Sequence, residues 1–284
     1  MSFGNQKTIA CEGRISGIGL HTGEVSEVFF RPAAVDSGIR FMREGRWVGP
    51  LSEESDGADT LRCSSVGEGE NRILTVEHLL ASLSGLGITN LDIDVHGREI
   101  PGLDGSALKF VEYLKEVGIV DQPKPAPFYR IQEPVFCYDN ERAIAIYPAD
   151  HFSVAYLLDY DHPYLRRQKV DFMLSPQVFE KEIAPARTFC TESEAQDLRL
   201  HGLGLGANRE NTLVVTPDGS HAGGQRFPDE CARHKVLDIL GDLALLGFPV
   251  QGRVVGIRSG HTLNRRLIQA IKNEKGDHGH KKTG

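Results

Sequence analysis

Arg233-His234-Lys235-Val236-Leu237-Asp238-Ile239-Leu240-Gly241-Asp242 is the stretch from which the rest of the chain can be read. His234, Asp238 and Asp242 follow one another at intervals of four, so in a helix one face stacks an imidazole and two carboxylates. Val236, Leu237, Ile239, Leu240 and Leu243 fill the positions between, which predicts a largely buried helix over about 230–246. Buried groups of this kind must be paired with one another or bound to a metal. Two readings stay open here. His-x-x-x-Asp supplies two metal ligands from one rigid element, and the same spacing also suits a hydrogen-bonded ladder beside a surface groove.

The first half of the chain repeats the pattern. In Thr75-Val76-Glu77-His78-Leu79-Leu80, His78 stands seven residues before Gly85, as His234 stands seven before Gly241. Thr75 is the expected N-cap of this helix. Each helix is followed by an alternating strand (91–96 and 252–257), a turn (Asp104-Gly105-Ser106 and Gly260-His261-Thr262) and a second amphipathic helix. Strand-like runs precede both units, at 8–17, 25–31, 39–43 and 61–66 and again at 129–138, 143–147 and 152–158. The reading is an α+β protein made by duplication, two like layers packed through their helices. The units divide as 1–122 and 128–272, with a proline-rich linker at 123–127 and a flexible Lys-, Gly- and His-rich tail at 273–284. A less regular stretch, 175–228, interrupts the second unit.

If the duplicated helices pack together, His78 and His234 meet, and Asp238 completes a set of two histidines and one carboxylate. Three protein ligands with an open fourth position mark catalytic rather than structural zinc, which favours four ligands and cysteine. Glu77, beside a ligand, could then take a proton from water, although a helix N-terminal acid favoured by the dipole is the plainer reading. His261 opens a helix after a glycine turn, where ligand contacts are common and helix caps commoner. Gly202-Leu203-Gly204-Leu205-Gly206 lacks the Gly-Lys-Ser/Thr ending of a phosphate loop.

Composition narrows the function classes. The chain has 284 residues and a net charge of −7, which argues against non-specific nucleic-acid binding. No apolar run reaches the ~20 residues of a membrane span, and the start has no signal-peptide pattern. Five scattered cysteines, none in a C-x-x-C pair, suit free thiols in a reducing cytoplasm. A cytoplasmic monomer is expected.

Six segments together resemble one bacterial family. They are Gly17-Ile18-Gly19-Leu20-His21-Thr22-Gly23, Thr75-Val76-Glu77-His78-Leu79-Leu80, Ile100-Pro101-Gly102-Leu103-Asp104-Gly105-Ser106, Ala186-Arg187-Thr188-Phe189, Arg233-His234-Lys235-Val236-Leu237-Asp238 and Ser259-Gly260-His261-Thr262-Leu263-Asn264. The family is the UDP-3-O-acyl-N-acetylglucosamine deacetylases, zinc amidases of lipid A biosynthesis, and the likeness runs from about residue 7 to residue 272. It implies two β-α-α-β domains packed as a sandwich with helices inside and the active site at their interface. It implies one catalytic Zn2+ on His78, His234 and Asp238, Glu77 as general base, and His261 as general acid held protonated by Asp242. Thr188 would donate to the oxyanion. Lys235, Tyr160, Arg258 and Phe189 would contact the substrate, with Tyr160 on uracil and Lys235 and Arg258 near the diphosphate. The substrate would be a UDP-sugar carrying a fatty-acyl chain, enclosed by an insert at about 183–213, and its N-acetyl group would leave as acetate in the committed step of the pathway. Cys190 stands where the family commonly has glycine, and Arg258 where it often has lysine. No fused dehydratase domain is expected. Two readings compete: a zinc amidase for another N-acylated sugar nucleotide, and a metal-stabilised scaffold without activity.

Overall fold

The computed structural model describes residues 4–49, 62–219 and 224–280. The first half runs β1 (Asn5–Ile9), β2 (Gly13–Ile18), β3 (Val25–Pro32), β4 (Ile39–Arg43), β5 (Arg46–Gly49), β6 (Ser65–Val66), β7 (Ile73–Leu74), α1 (Glu77–Leu86), β8 (Leu91–His96), α2 (Leu108–Val117) and β9 (Ile119–Pro125). The second half runs β10 (Tyr129–Arg130), β11 (Val135–Asp139), β12 (Arg142–Tyr147), β13 (Ser153–Leu158), β14 (Gln168–Met173) and α3 (Pro176–Val178), which continues into a π-helical turn, Phe179–Ile183. There follow β15 (Phe189–Thr191), α4 (Glu192–Leu200), β16 (Leu213–Val215), α5 (Glu230–Ala244), β17 (Val250–Gln251), β18 (Arg253–Ile257) and α6 (His261–His280).

Duplication is visible in the strand order. One five-stranded sheet is ordered β2-β3-β8-β4-β5 and the other β11-β12-β18-β13-β14. In both, successive pairs are antiparallel, antiparallel, parallel and antiparallel. The strands form because their sequences alternate. In β3, Ser26, Val28 and Phe30 turn inward, and across the ladder Val28 and Phe30 oppose Val95 and Ile93 of β8.

The core lies where the halves meet. Helices α1 and α5 are buried on nearly every face and pack against each other. Gly241 permits this approach: a Cβ there would sit 2.1 Å from the carbonyl oxygen of Glu77. Three of the largest buried side chains, Leu79, Leu80 and Leu83, belong to α1.

Several local expectations change. Thr75 is not the N-cap; α1 is preceded by Val76, and Thr75 adopts φ 58° while its hydroxyl donates to Glu99 Oε1 at 2.7 Å. A buried carboxylate competes for the hydroxyl that would otherwise cap the helix. The run 8–17 is two strands separated at Ala10-Cys11-Glu12, because β1 ends at Ile9 and the chain bends before β2. The run 129–138 likewise splits into β10 and β11 around Pro134. Of the run 61–66 only β6 is a strand, and Leu61 lies outside the described residues. The prolines at 123 and 125 are extended, as proline requires, but they lie in β9, which pairs antiparallel with β1 in a two-stranded ladder that tolerates missing donors. Helix α6 continues to His280 where a tail was expected from residue 273. No proline interrupts it, and isolated glycines at 276 and 279 cost only about 1 kcal/mol each in a helix.

Candidate active site

Both packed helices point polar side chains into one cavity of about 810 Å3 between the halves. Helix α1 brings Glu77 and His78, α5 brings His234, Lys235 and Asp238, and α6 opens with His261. The donor atoms of His78, His234 and Asp238 all lie within 4.8 Å of one another, and all three residues are buried. Asp238 Oδ1 is 3.3 Å from His234 Nε2 and 4.0 Å from His78 Nε2, and the two imidazoles meet edge to face at 4.9 Å.

The surroundings of this triad suit a cation. His234 Nδ1 lies 3.0 Å from the Ala186 carbonyl, which accepts its proton and leaves the Nε2 lone pair facing the triad. Burial, then the neighbouring His234, pushes His78 down to about 3, and burial also lowers His234, so both rings are neutral and able to ligate. Burial disfavours the Asp238 carboxylate, but Lys235 and the histidines outweigh it and hold Asp238 well below the ordinary range. Lys235 Nζ donates to Asp238 Oδ2 at 2.6 Å, which leaves Oδ1 for the triad. Two neutral imidazoles and one carboxylate oxygen converging on one point form a nitrogen-and-oxygen donor set suited to a divalent transition metal.

Beside the triad stands a proton-handling group. Glu77 Oε1 is 3.9 Å from His261 Nε2, and its Oε2 accepts from the backbone N–H of Ser64 at 3.0 Å. Burial, with the charges of Asp242 and Asp238 acting against His261, raises Glu77 to about 8. On the far side of the imidazole, His261 Nδ1 is 2.8 Å from Asp242 Oδ2. Burial alone would lower His261, but Asp242 overcomes it and raises the ring to about 9. Asp242 is fully buried and also accepts from Asn264 Nδ2 at 2.7 Å.

The opposite wall is the segment Ala186-Arg187-Thr188-Phe189. Arg187 faces away from the cavity and pairs with buried Glu230 at 2.9 Å, which pins the segment to the base of α5. Thr188 is thereby held at the cavity, its N–H donating to Gly105 O at 2.8 Å, and its hydroxyl has no partner among the described residues. Phe189 and Tyr160 meet at 5.9 Å, and Lys235 Nζ lies 5.7 Å from the Phe189 ring. Arg258 reaches the cavity mouth but is ion-paired to Glu141 at 2.6 Å. The geometry therefore gathers Glu77, His78, Thr188, His234, Lys235, Asp238, Asp242 and His261 closely, and leaves Arg258 at the rim.

Sequence reasoning missed three residues here. His21 lines the cavity with a buried, unpartnered Nδ1. Glu99, buried, accepts from the N–H groups of His21 and Thr22 and from both threonine hydroxyls, of Thr22 and Thr75. Ser64 touches Glu77 and Asp242. Only His21, inside a glycine-flanked motif, carried a signal that could have found it. The glycine loop at 202–206 does not cradle a ligand through its amides, since Leu205 and Gly206 donate to His21 O and Leu20 O. Gly206 fits there because a Cβ would lie 2.2 Å from Gly19 O.

Comparison with known proteins reaches the same place. The family model described as UDP-3-O-acyl N-acetylglycosamine deacetylase matches residues 6–273. A protein of Anaeromyxobacter sp. (strain Fw109-5) named UDP-3-O-acyl-N-acetylglucosamine deacetylase is 39% identical over 279 residues, 98% of this chain and 92% of its own. Proteins of the same name from Oleidesulfovibrio alaskensis and Myxococcus xanthus are 41% and 34% identical, covering 94% and 95% of this chain and 87% of each relative.

Proposed function

Because this chain belongs to the UDP-3-O-acyl-N-acetylglucosamine deacetylase family, we propose that it hydrolyses the N-acetyl group of UDP-3-O-acyl-N-acetylglucosamine in lipid A biosynthesis, using zinc on His78, His234 and Asp238. The observation that carries the reading is the convergence of those donors beside Glu77 and His261, in a cavity large enough for a sugar nucleotide. What zinc supplies when bound is Lewis acidity, which polarises the amide carbonyl and lowers the pKa of water towards ~7.

The protein's own groups do the rest. Glu77 Oε1 accepts the proton of the attacking water, while its other oxygen stays anchored on Ser64 N–H. A cation held by His78, His234 and Asp238 would favour the charged form of Glu77 against the burial that raises it. His261, charged below about pH 9, gives its Nε2 proton to the departing sugar amine, which is a poor leaving group unless protonated. Asp242 keeps the proton on Nδ1 and orients the ring. The unpartnered Thr188 hydroxyl donates to the oxygen that gains charge as the carbonyl is attacked. Lys235, fixed by Asp238, presents its charge to the phosphate-bearing side, and Tyr160 with Phe189 offers a ring surface for uracil. Leu20, Cys190, Leu198 and Val214 form an apolar wall suited to the acyl chain. Among the described residues no helix is long and apolar enough to cross a membrane.

Acetate release from UDP-3-O-acyl-N-acetylglucosamine by zinc-loaded protein tests the proposal. Stoichiometric release, lost on chelation and restored by zinc, is the expected result. Hydrolysis of other N-acylated sugar nucleotides but not this one would reject the substrate, and zinc binding with no hydrolysis would reject the activity.

A further inference from the structure

We infer that Ser64 is a positioning residue that holds the base carboxylate of one half and the carboxylate behind the acid imidazole of the other in a single frame. The inference rests on the roles of Glu77 and His261 proposed above. Ser64 belongs to neither helix and is 1% exposed. Its backbone is tied to the start of α1 at both ends: its N–H donates to Glu77 Oε2 at 3.0 Å, and its carbonyl accepts from Val76 N–H at 3.2 Å. Its hydroxyl reaches into the other half, donates to Asp242 Oδ1, and lies 3.4 Å from His261 Nδ1. One small side chain therefore links the two proton-handling groups that the two halves contribute separately.

The consequences follow from counting donors. With Oε2 of Glu77 held, Oε1 is the oxygen left facing His261. Asp242 receives Ser64 on Oδ1 and Asn264 on Oδ2, and His261 Nδ1 bridges both oxygens at 3.0 and 2.8 Å. Removing the hydroxyl takes away a donor that spreads the charge of Asp242. The carboxylate then becomes a stronger acceptor for the imidazolium and gains freedom to turn. His261 should hold its proton more tightly, and the acid and base should fall out of alignment. The charged and titratable groups facing His261 are Asp242 and Asp238 from α5, Glu77 from α1, His21 from the loop after β2, and His78 and His234. Ser64→Ala alters none of them. A hydroxyl that merely filled space would move neither the titration nor the turnover.

The test uses the full zinc-loaded chain and compares wild type with Ser64→Ala, Ser64→Cys and Ser64→Thr. Zinc stoichiometry, kcat, KM and the 15N titration of the His261 ring are measured for each. In Ser64→Ala, kcat should fall about tenfold or more with KM within twofold, zinc should be retained, and the His261 midpoint should rise by roughly half a unit. Ser64→Cys, near in size but a poor donor, should behave the same way and covers the case of an unstable alanine variant. Ser64→Thr, which keeps the hydroxyl, should recover wild-type values. Wild-type turnover and an unmoved His261 midpoint in either donor-poor variant would overturn the inference. An inactive wild type would instead reject the deacetylase reading, and the ring titration would still report on Ser64.

Discussion

In the proposed metal site each member of the triad should be irreplaceable for a simple reason: three protein donors leave no spare. Replacing His78, His234 or Asp238 by alanine should therefore abolish stoichiometric zinc, as read by metal analysis of the purified protein, with activity falling in step. Proton transfer gives a second prediction. The proposed mechanism needs Glu77 without its proton and His261 with it, so kcat/KM should be bell-shaped in pH. Its alkaline limb should lie near 9 and its acid limb below 8, because a bound cation lowers Glu77. His261→Gln should lose the alkaline limb and Glu77→Gln the acid one, each costing on the order of 10²-fold or more with zinc retained. An intact alkaline limb in His261→Gln would remove it as the acid. The same shift bears on stability. A ring raised from 6.5 to about 9 contributes stability that is whole below pH 6.5 and disappears as pH rises through 9. In metal-free protein the Tm gap between wild type and His261→Gln should accordingly be widest at low pH and narrow above 9. Tyr160 is proposed to meet uracil, which is remote from the amide in the substrate, so Tyr160→Ala should raise KM severalfold while changing kcat little; an unchanged KM would exclude it from the site.

The decisive element is the α1–α5 contact, where two buried helices approach closely enough that a glycine is required. Gly241→Ala would place a methyl 2.1 Å from the Glu77 carbonyl oxygen, a contact that neither backbone can relieve without the helices moving apart. The expected cost is about 1–3 kcal/mol in denaturant unfolding. Zinc affinity should weaken as well, because the same displacement separates His78 from His234. Unaltered zinc affinity in a destabilised Gly241→Ala protein would mean that the ligands adjust independently of the helix contact. The segment Ala186–Phe189 acts in the same way at smaller scale. Its Arg187 is consumed by Glu230 and serves to aim its neighbours.

At the scale of the whole molecule, the site exists only between the halves. Of the proposed set, one ligand and the base, His78 and Glu77, come from the first, and two ligands, the acid and its carboxylate come from the second. Metal binding is then linkage to the docked state of both halves. Zinc held at 100 times its dissociation constant should stabilise the chain by about 2.7 kcal/mol, seen as a rise in Tm that chelation reverses. Asp238→Ala should show no such rise.

Much of this was legible from the chain alone. Periodicity and the seven-residue offset between histidine and glycine in both halves are local properties, and they determined the buried helices, the repeated order of elements and the pairing of His78 with His234 and Asp238. Hydrophobic alternation likewise placed most strands, because a side chain's choice of face depends on its neighbours two residues away. Other features depend on partners distant in the chain, and only the tertiary structure decided them. Thr75 leaves the cap position because Glu99 competes for its hydroxyl. The prolines of β9 gain a ladder because β1 lies beside them. Arg258 is drawn to Glu141 and Arg187 to Glu230, pairings no local pattern announces. Ser64, a small polar residue in an unremarkable context, matters through an aspartate 178 positions away. Periodicity reports which face of an element is buried; which buried polar atoms meet is set by how the elements dock.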